Sequence, residues 1–116
     1  MTLQTIPSPK GELAFWRMEK GERVAAVDDI LSLIWNSRSE TIVLERSALS
    51  ESFFDLKSGL AGELLQKISN YRRRFVVLGD FGDLPSRALA DFIRESNRGG
   101  QVVFAPDLER GIELLR

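Results

Sequence analysis

The sequence contains no cysteine and no histidine. The first absence removes thiol nucleophiles, disulfides and thiolate metal sites. The second removes imidazole, the side chain that most often moves protons near neutral pH and binds zinc or haem. Any metal would have to be a hard cation held by oxygen ligands alone. Long apolar runs are also missing. No stretch approaches the roughly 18 apolar residues of a membrane span. The opening MTLQTIPSPKGE lacks the apolar core of a signal peptide. Net charge is only −1, and acids and bases are spread over both halves. Composition therefore argues against a nucleic-acid or membrane partner, implies no cofactor, and places the chain in the cytoplasm.

What remains is an ordinary globular composition. The chain has 116 residues, 43% of them hydrophobic and 28% charged, enough for one domain with a real core. Pro7, Pro9 and Gly11 mark residues 1–11 as a loose arm. Residues 12–18 read as a strand, 19–22 as a turn, and 23–27 as a second strand, so the chain opens on an antiparallel hairpin. Asp28 is placed to cap a helix running to about Asn36. Three short apolar runs follow, TIVLE at 41–45, FVVLG at 75–79 and QVVFA at 101–105. Runs without alternation fit strands buried on both faces of a parallel sheet.

Helical patterns separate these runs. Leu60, Ala61, Leu64, Leu65, Ile68 and Tyr71 fall on one helical stripe, and Leu89, Phe92 and Ile93 on another. Asp107 is placed to cap a last helix. The order β-β-α-β-α-β-α-β-α predicts a mixed, mostly parallel sheet of about five strands with helices packed on it. In such sheets, sites gather beyond the carboxyl ends of the strands. Two loops lie there, at 45–58 and 80–86.

The stretch FFDLKSGLAGELL, residues 53–65, is the most unusual in the chain. Ser58 precedes a helix expected to start at Gly59, and Gly59 and Gly62 leave its first turn bare of side chains. Bare amides at the positive end of a helix dipole tolerate an anion. A phosphoryl group on Ser58 would bring about −1.5 to −2 charges there. Asp55 and Lys57 flank it, and Asp80 and Ser86 in the second loop complete the candidate binding or regulatory set. No residue is assigned a catalytic or metal-binding role.

Glu45, Asp55 and Asp80 all sit near strand ends and would hold magnesium if they converged. A phosphoacceptor receiver domain would need an acidic pair after its first strand and a lysine after its last, and FAP at 104–106 has none. The RRR at 72–74 reads as a solvated helix end that complements the dipole. Trp16, Trp35, Phe15, Phe53 and Phe54 read as core. An uncovered hairpin face would expose Trp16 or Phe15 and favour a homodimer.

FFDLKSGLAG resembles the switch segment of the STAS domain, the SpoIIAA-like fold of the anti-sigma-factor antagonists, with one extra residue between Asp55 and Ser58. The resemblance implies that a partner kinase would phosphorylate Ser58. The longer match, FFDLKSGLAGE at 53–63 with GDF at 79–81 and SRALADFIRESNRGGQVVFA after it, resembles a bacterial family known as domain of unknown function number 4180. That resemblance spans nearly the whole chain and implies no established chemistry. Together these features favour a non-catalytic regulatory or protein-interaction module. The alternative is a small ligand-binding protein or carboxylate-based enzyme built on the loops at 45–58 and 80–86.

Overall fold

The computed structural model describes all 116 residues. Five strands form one sheet: β1 (Thr2–Ile6), β2 (Leu13–Arg17), β3 (Thr41–Glu45), β4 (Arg74–Leu78) and β5 (Val102–Ala105). Four helices accompany them: α1 (Val27–Asn36), α2 (Leu60–Asn70), α3 (Arg87–Gly99) and α4 (Leu108–Leu114). The strand order is β1-β2-β3-β4-β5. β1 runs antiparallel to β2, and the other neighbours are parallel. The expected mixed, mostly parallel α/β architecture is therefore present.

The opening hairpin is built from different residues than the sequence suggested. Thr2–Ile6 is a strand, not a loose arm, and it pairs with β2 from Thr2↔Arg17 to Ile6↔Leu13. Pro7 and Pro9 fall in the connection, which Gly11 completes at φ +99°. The prolines therefore punctuate a turn and leave the flanking strand free of them. Residues 23–27 form no strand. β1 and β3 already occupy both edges of β2, so only Val24 finds a partner, in a single bridge to Leu49. The cap of α1 also differs. Ala26 is the cap residue, and Asp29 Oδ2 reaches back to the amides of Ala25 and Ala26 at 2.9 and 3.1 Å.

Consecutive strand order with right-handed crossovers sends every crossover helix to the same side of the sheet. The packing follows that rule. Ala14, Trp16, Ile42, Leu44, Phe75, Val77, Val102 and Phe104 point toward α1, α2 and α3 and belong to a core of 21 buried residues. Their neighbours Leu13, Phe15, Val43, Val76 and Val103 point to the other face, where partly buried Leu108 and Ile112 of α4, and Leu115 just after it, cover them. Strands β2 to β5 thus bury both faces, which is why their sequences lack alternation, whereas β1 is an exposed edge.

Side chains of α3 close the outer edge of β5. Asn97 donates from Nδ2 to the Phe104 carbonyl at 3.1 Å and accepts the Phe104 amide on Oδ1 at 2.6 Å. Ser96 donates to the Val102 carbonyl. Asn97 therefore serves the edge strand, and Gly100, at φ +76°, ends the helix. No helix is long and apolar enough to cross a membrane.

The aromatic residues divide differently from expectation. Trp16 and Phe15 are buried, and Trp16 Nε1 donates to Ser37 Oγ at 2.7 Å. The apolar hairpin face that would have favoured a homodimer is therefore covered. Trp35, expected in the core, is 65% exposed and meets Tyr71 edge to face at 5.0 Å. Ile30, Leu33 and Ile34 are the residues of α1 that face the core, and Trp35 falls off that stripe.

Candidate functional site

The two loops beyond the carboxyl ends of β3 and β4 lie side by side, joined by Arg46. This arginine follows β3 directly and lies over Gly79, the residue after β4. Its guanidinium donates to the carbonyl of Asp80 and to Asp83 Oδ1, the latter at 2.8 Å. It also lies over the rings of Phe54 and Phe81, at 4.9 and 5.4 Å from their centroids. The Arg46 hydrogen bond, and secondarily its charge, hold the Asp83 carboxyl below its ordinary range. Around this arginine is an open depression of about 570 Å³, whose charged rim includes Arg23, Glu45, Glu51, Asp80 and Asp83.

The adjacent phenylalanines have separate tasks. Phe53 is fully buried and stacks toward Phe104, while Phe54 is half-buried and turns to Arg46. A chain of short 3₁₀ turns, Glu51–Phe54 and Leu56–Ser58, then leads into α2. Asp55 starts the second turn by accepting the Lys57 amide at 3.1 Å.

Ser58 is exposed and lies one residue earlier than a cap. The cap residue of α2 is Gly59, at φ +78°, a left-handed conformation that favours glycine. The Ser58 hydroxyl still serves the helix start, accepting the Leu60 amide at 3.2 Å while it donates to the Ser52 carbonyl. It thereby ties the two 3₁₀ turns to the front of α2. Gly62 is exposed, and a β-carbon there would meet nothing within 4 Å. Tight packing therefore does not require this glycine, and the front of α2 presents bare backbone to solvent. The next amides, of Ala61 and Gly62, have no intrahelical acceptor, as at any helix start.

The remaining candidates separate. Asp80 Oδ1 accepts the Gly82 amide at 2.9 Å and so shapes its own turn beside Arg46. Ser86 caps α3 by accepting the Leu89 amide at 3.1 Å. Asp55, Lys57, Ser58 and Gly59 form one exposed run, and Gly62 is exposed beyond the buried Leu60 and Ala61; all five lie outside the lining of the Arg46 depression. Glu45, Asp55 and Asp80 do not converge, and no group of three metal-ligating side chains exists. Glu45 instead pairs with Arg17 at 3.5 Å.

Sequence reasoning missed Arg46. The available signal was positional, a cation directly after an apolar strand, at the end of the sheet where α/β proteins build sites.

A family model described as Domain of unknown function (DUF4180) matches residues 18–115, and the chain belongs to that family. The matched span includes Arg46, Ser58 and Gly79, and it leaves out β1 and β2. No curated protein and no solved structure matches the chain.

Proposed function

We propose that this protein is a non-catalytic regulatory module of STAS-like design, working in the cytoplasm through a protein partner. The docking surface is the exposed run 55–59 with Gly62, and the Arg46 depression lies beside it. One observation carries the reading: an exposed hydroxyl sits at a helix front where Gly62 leaves the backbone open without any packing need. The consecutive element order and the FFDLKSGLAG segment support the STAS-like assignment.

The mechanism is local. Unmodified, Ser58 donates to Ser52 and accepts from Leu60, so the segment is held in one shape. Phosphorylation removes the hydroxyl proton, so the donation to Ser52 is lost. It also places about −1.5 to −2 charges against the first-turn amides. The segment reorders and the partner is released.

The test is peptide analysis of protein purified from its native host, with partner capture by wild type, Ser58→Ala and Ser58→Asp. The expected result is a modified Ser58 peptide, with a partner held by wild type and lost by Ser58→Asp. Equal capture by Ser58→Asp, with no modified peptide, overturns the switch.

The depression of about 570 Å³ favours a second reading, a small-ligand site at the strand ends. In that case Arg46→Gln abolishes ligand-induced thermal stabilisation and leaves partner capture intact. An interaction module predicts no such ligand.

A further inference from the structure

The opposite end of the sheet, where the parallel strands begin, holds a separate concentration of charge. Lys10, Arg72, Arg73, Arg74 and Arg116 line one open depression of about 470 Å³, in which Glu40 is the one acidic side chain. On a chain of net charge −1 this is a strong local excess of positive charge. None of the five cations makes a side-chain ion pair.

Main-chain oxygens hold several of them in place. Lys10 Nζ donates to the carbonyls of Ile112 and Glu113 at 2.6 and 3.0 Å. Arg73 Nη1 donates to Ser37 and Ser39 at 3.1 and 2.7 Å. Arg74 donates from Nη1 to the Arg116 main-chain oxygen at 3.0 Å and from Nη2 to the Lys10 carbonyl at 2.5 Å. These contacts fix the guanidinium groups without opposing them with an acidic side chain.

Two residues of this cluster stand out. The Arg74 Nε–H is buried and has no partner. Buried donors in that condition are uncommon, and each calls for an explanation. Arg72 follows α2 at φ +54°, in the left-handed position where glycine is usual. Gly100 takes the corresponding place after α3, at φ +76°. Holding an arginine at a glycine position strains the backbone, and such strain is characteristic of functional sites. The Arg72 guanidinium makes no hydrogen bond within the chain, so it is free to meet a ligand.

We propose that this depression binds a small, multiply charged phosphoanion, the diphosphate group of a soluble compound. The Arg72 and Arg116 guanidinium groups supply its donors, and Lys10, Arg73 and Arg74 add positive charge behind them. Guanidinium suits this role because it stays charged and presents its N–H groups in a planar fork matched to phosphate oxygens. The site is at the other end of the strands from Ser58 and Arg46, so it stands independently of the interaction reading.

The experiment titrates inorganic pyrophosphate into the full chain by calorimetry and by proton–nitrogen NMR. Saturable binding is expected, with movement of the Arg72 Nε–H resonance. Arg72→Gln removes a side chain without internal hydrogen bonds and should weaken affinity by roughly tenfold or more. Lys20→Gln, in the exposed turn after β2, should leave affinity unchanged. Absence of saturable binding at millimolar pyrophosphate overturns the proposal. So does unchanged affinity in Arg72→Gln, or loss of binding in Lys20→Gln. A single-stranded oligonucleotide forms the second arm. Its Arg72-dependent binding, without binding of pyrophosphate, replaces the small-anion site with a nucleic-acid contact.

Discussion

A β-carbon on Gly79 would lie 2.7 Å from Cβ of Arg46. The two residues directly follow adjacent parallel strands, and the arginine crosses over the glycine to reach Asp80 and Asp83. Gly79→Ala should therefore force the chain apart at this point and cost about 1–3 kcal/mol, read as a lower denaturant midpoint. In an Arg46→Gly background the obstructing carbon is gone, and the same change should cost clearly less. Equal cost in both backgrounds would refute the steric account.

Gly59 and Gly62 should respond in opposite directions. Gly59 holds φ +78°, so Gly59→Ala introduces backbone strain and should destabilise by about 1 kcal/mol. Gly62 stands in the helix with open space around it, so Gly62→Ala should stabilise by up to about 1 kcal/mol. Thermal unfolding of the two variants checks this. If the front of α2 is a docking surface, Gly62→Ala should gain stability and lose partner affinity, a combination that a packing role cannot produce.

Ser58→Ala removes a helix-start acceptor and the tie to Ser52, and should cost about 0.5–2 kcal/mol. Ser58→Asp keeps an acceptor for the Leu60 amide and loses the donor to Ser52. Hydrogen exchange should then quicken across residues 51–58 in both variants. Protection at the Leu60 amide should fall only in Ser58→Ala.

The Asp83–Arg46 pair makes a pH prediction with a definite sign. The Asp83 carboxyl is depressed in the folded chain by the Arg46 hydrogen bond and charge. Its stabilising effect is present above the ordinary carboxylate value and is lost as pH falls through the depressed one. An NMR titration should give Asp83 a midpoint below that of an unpaired aspartate, and Arg46→Gln should move it back up. Asp83 is largely exposed, so its effect on global stability should be small.

The parts of this fold that were legible in the sequence depend on local chemistry. The runs at 41–45, 75–79 and 101–105 became strands to within a residue or so because burial on both faces demands continuous apolar residues. Asp107 caps α4, accepting the Arg110 amide at 2.8 Å, because the capping bond spans only a few residues. Other features depend on distant partners. The neighbours of β2 decided that Thr2–Ile6 would be a strand and residues 23–27 would not. Trp35 looked like core because α1 carries apolar residues over a wide arc, of which the fold covers one side. Arg46 gained its place from Gly79 and Asp83, more than thirty positions away. The segment 53–62 stood out as unusual, but its division into a buried Phe53, a Phe54 beneath a cation and a tethered Ser58 required three dimensions.

The clasp of Asn97 on Phe104 bears on how this molecule behaves at high concentration. With the Val102 carbonyl and both the amide and carbonyl of Phe104 already engaged, β5 offers little template for another chain, and lateral growth of the sheet is blocked on that flank. Any strand-to-strand association between copies is left to β1, whose surface is polar apart from Leu3 and Ile6. Asn97→Ala would reopen the guarded margin, giving a molecule with two sticky borders where the natural one has a single, weakly adhesive one.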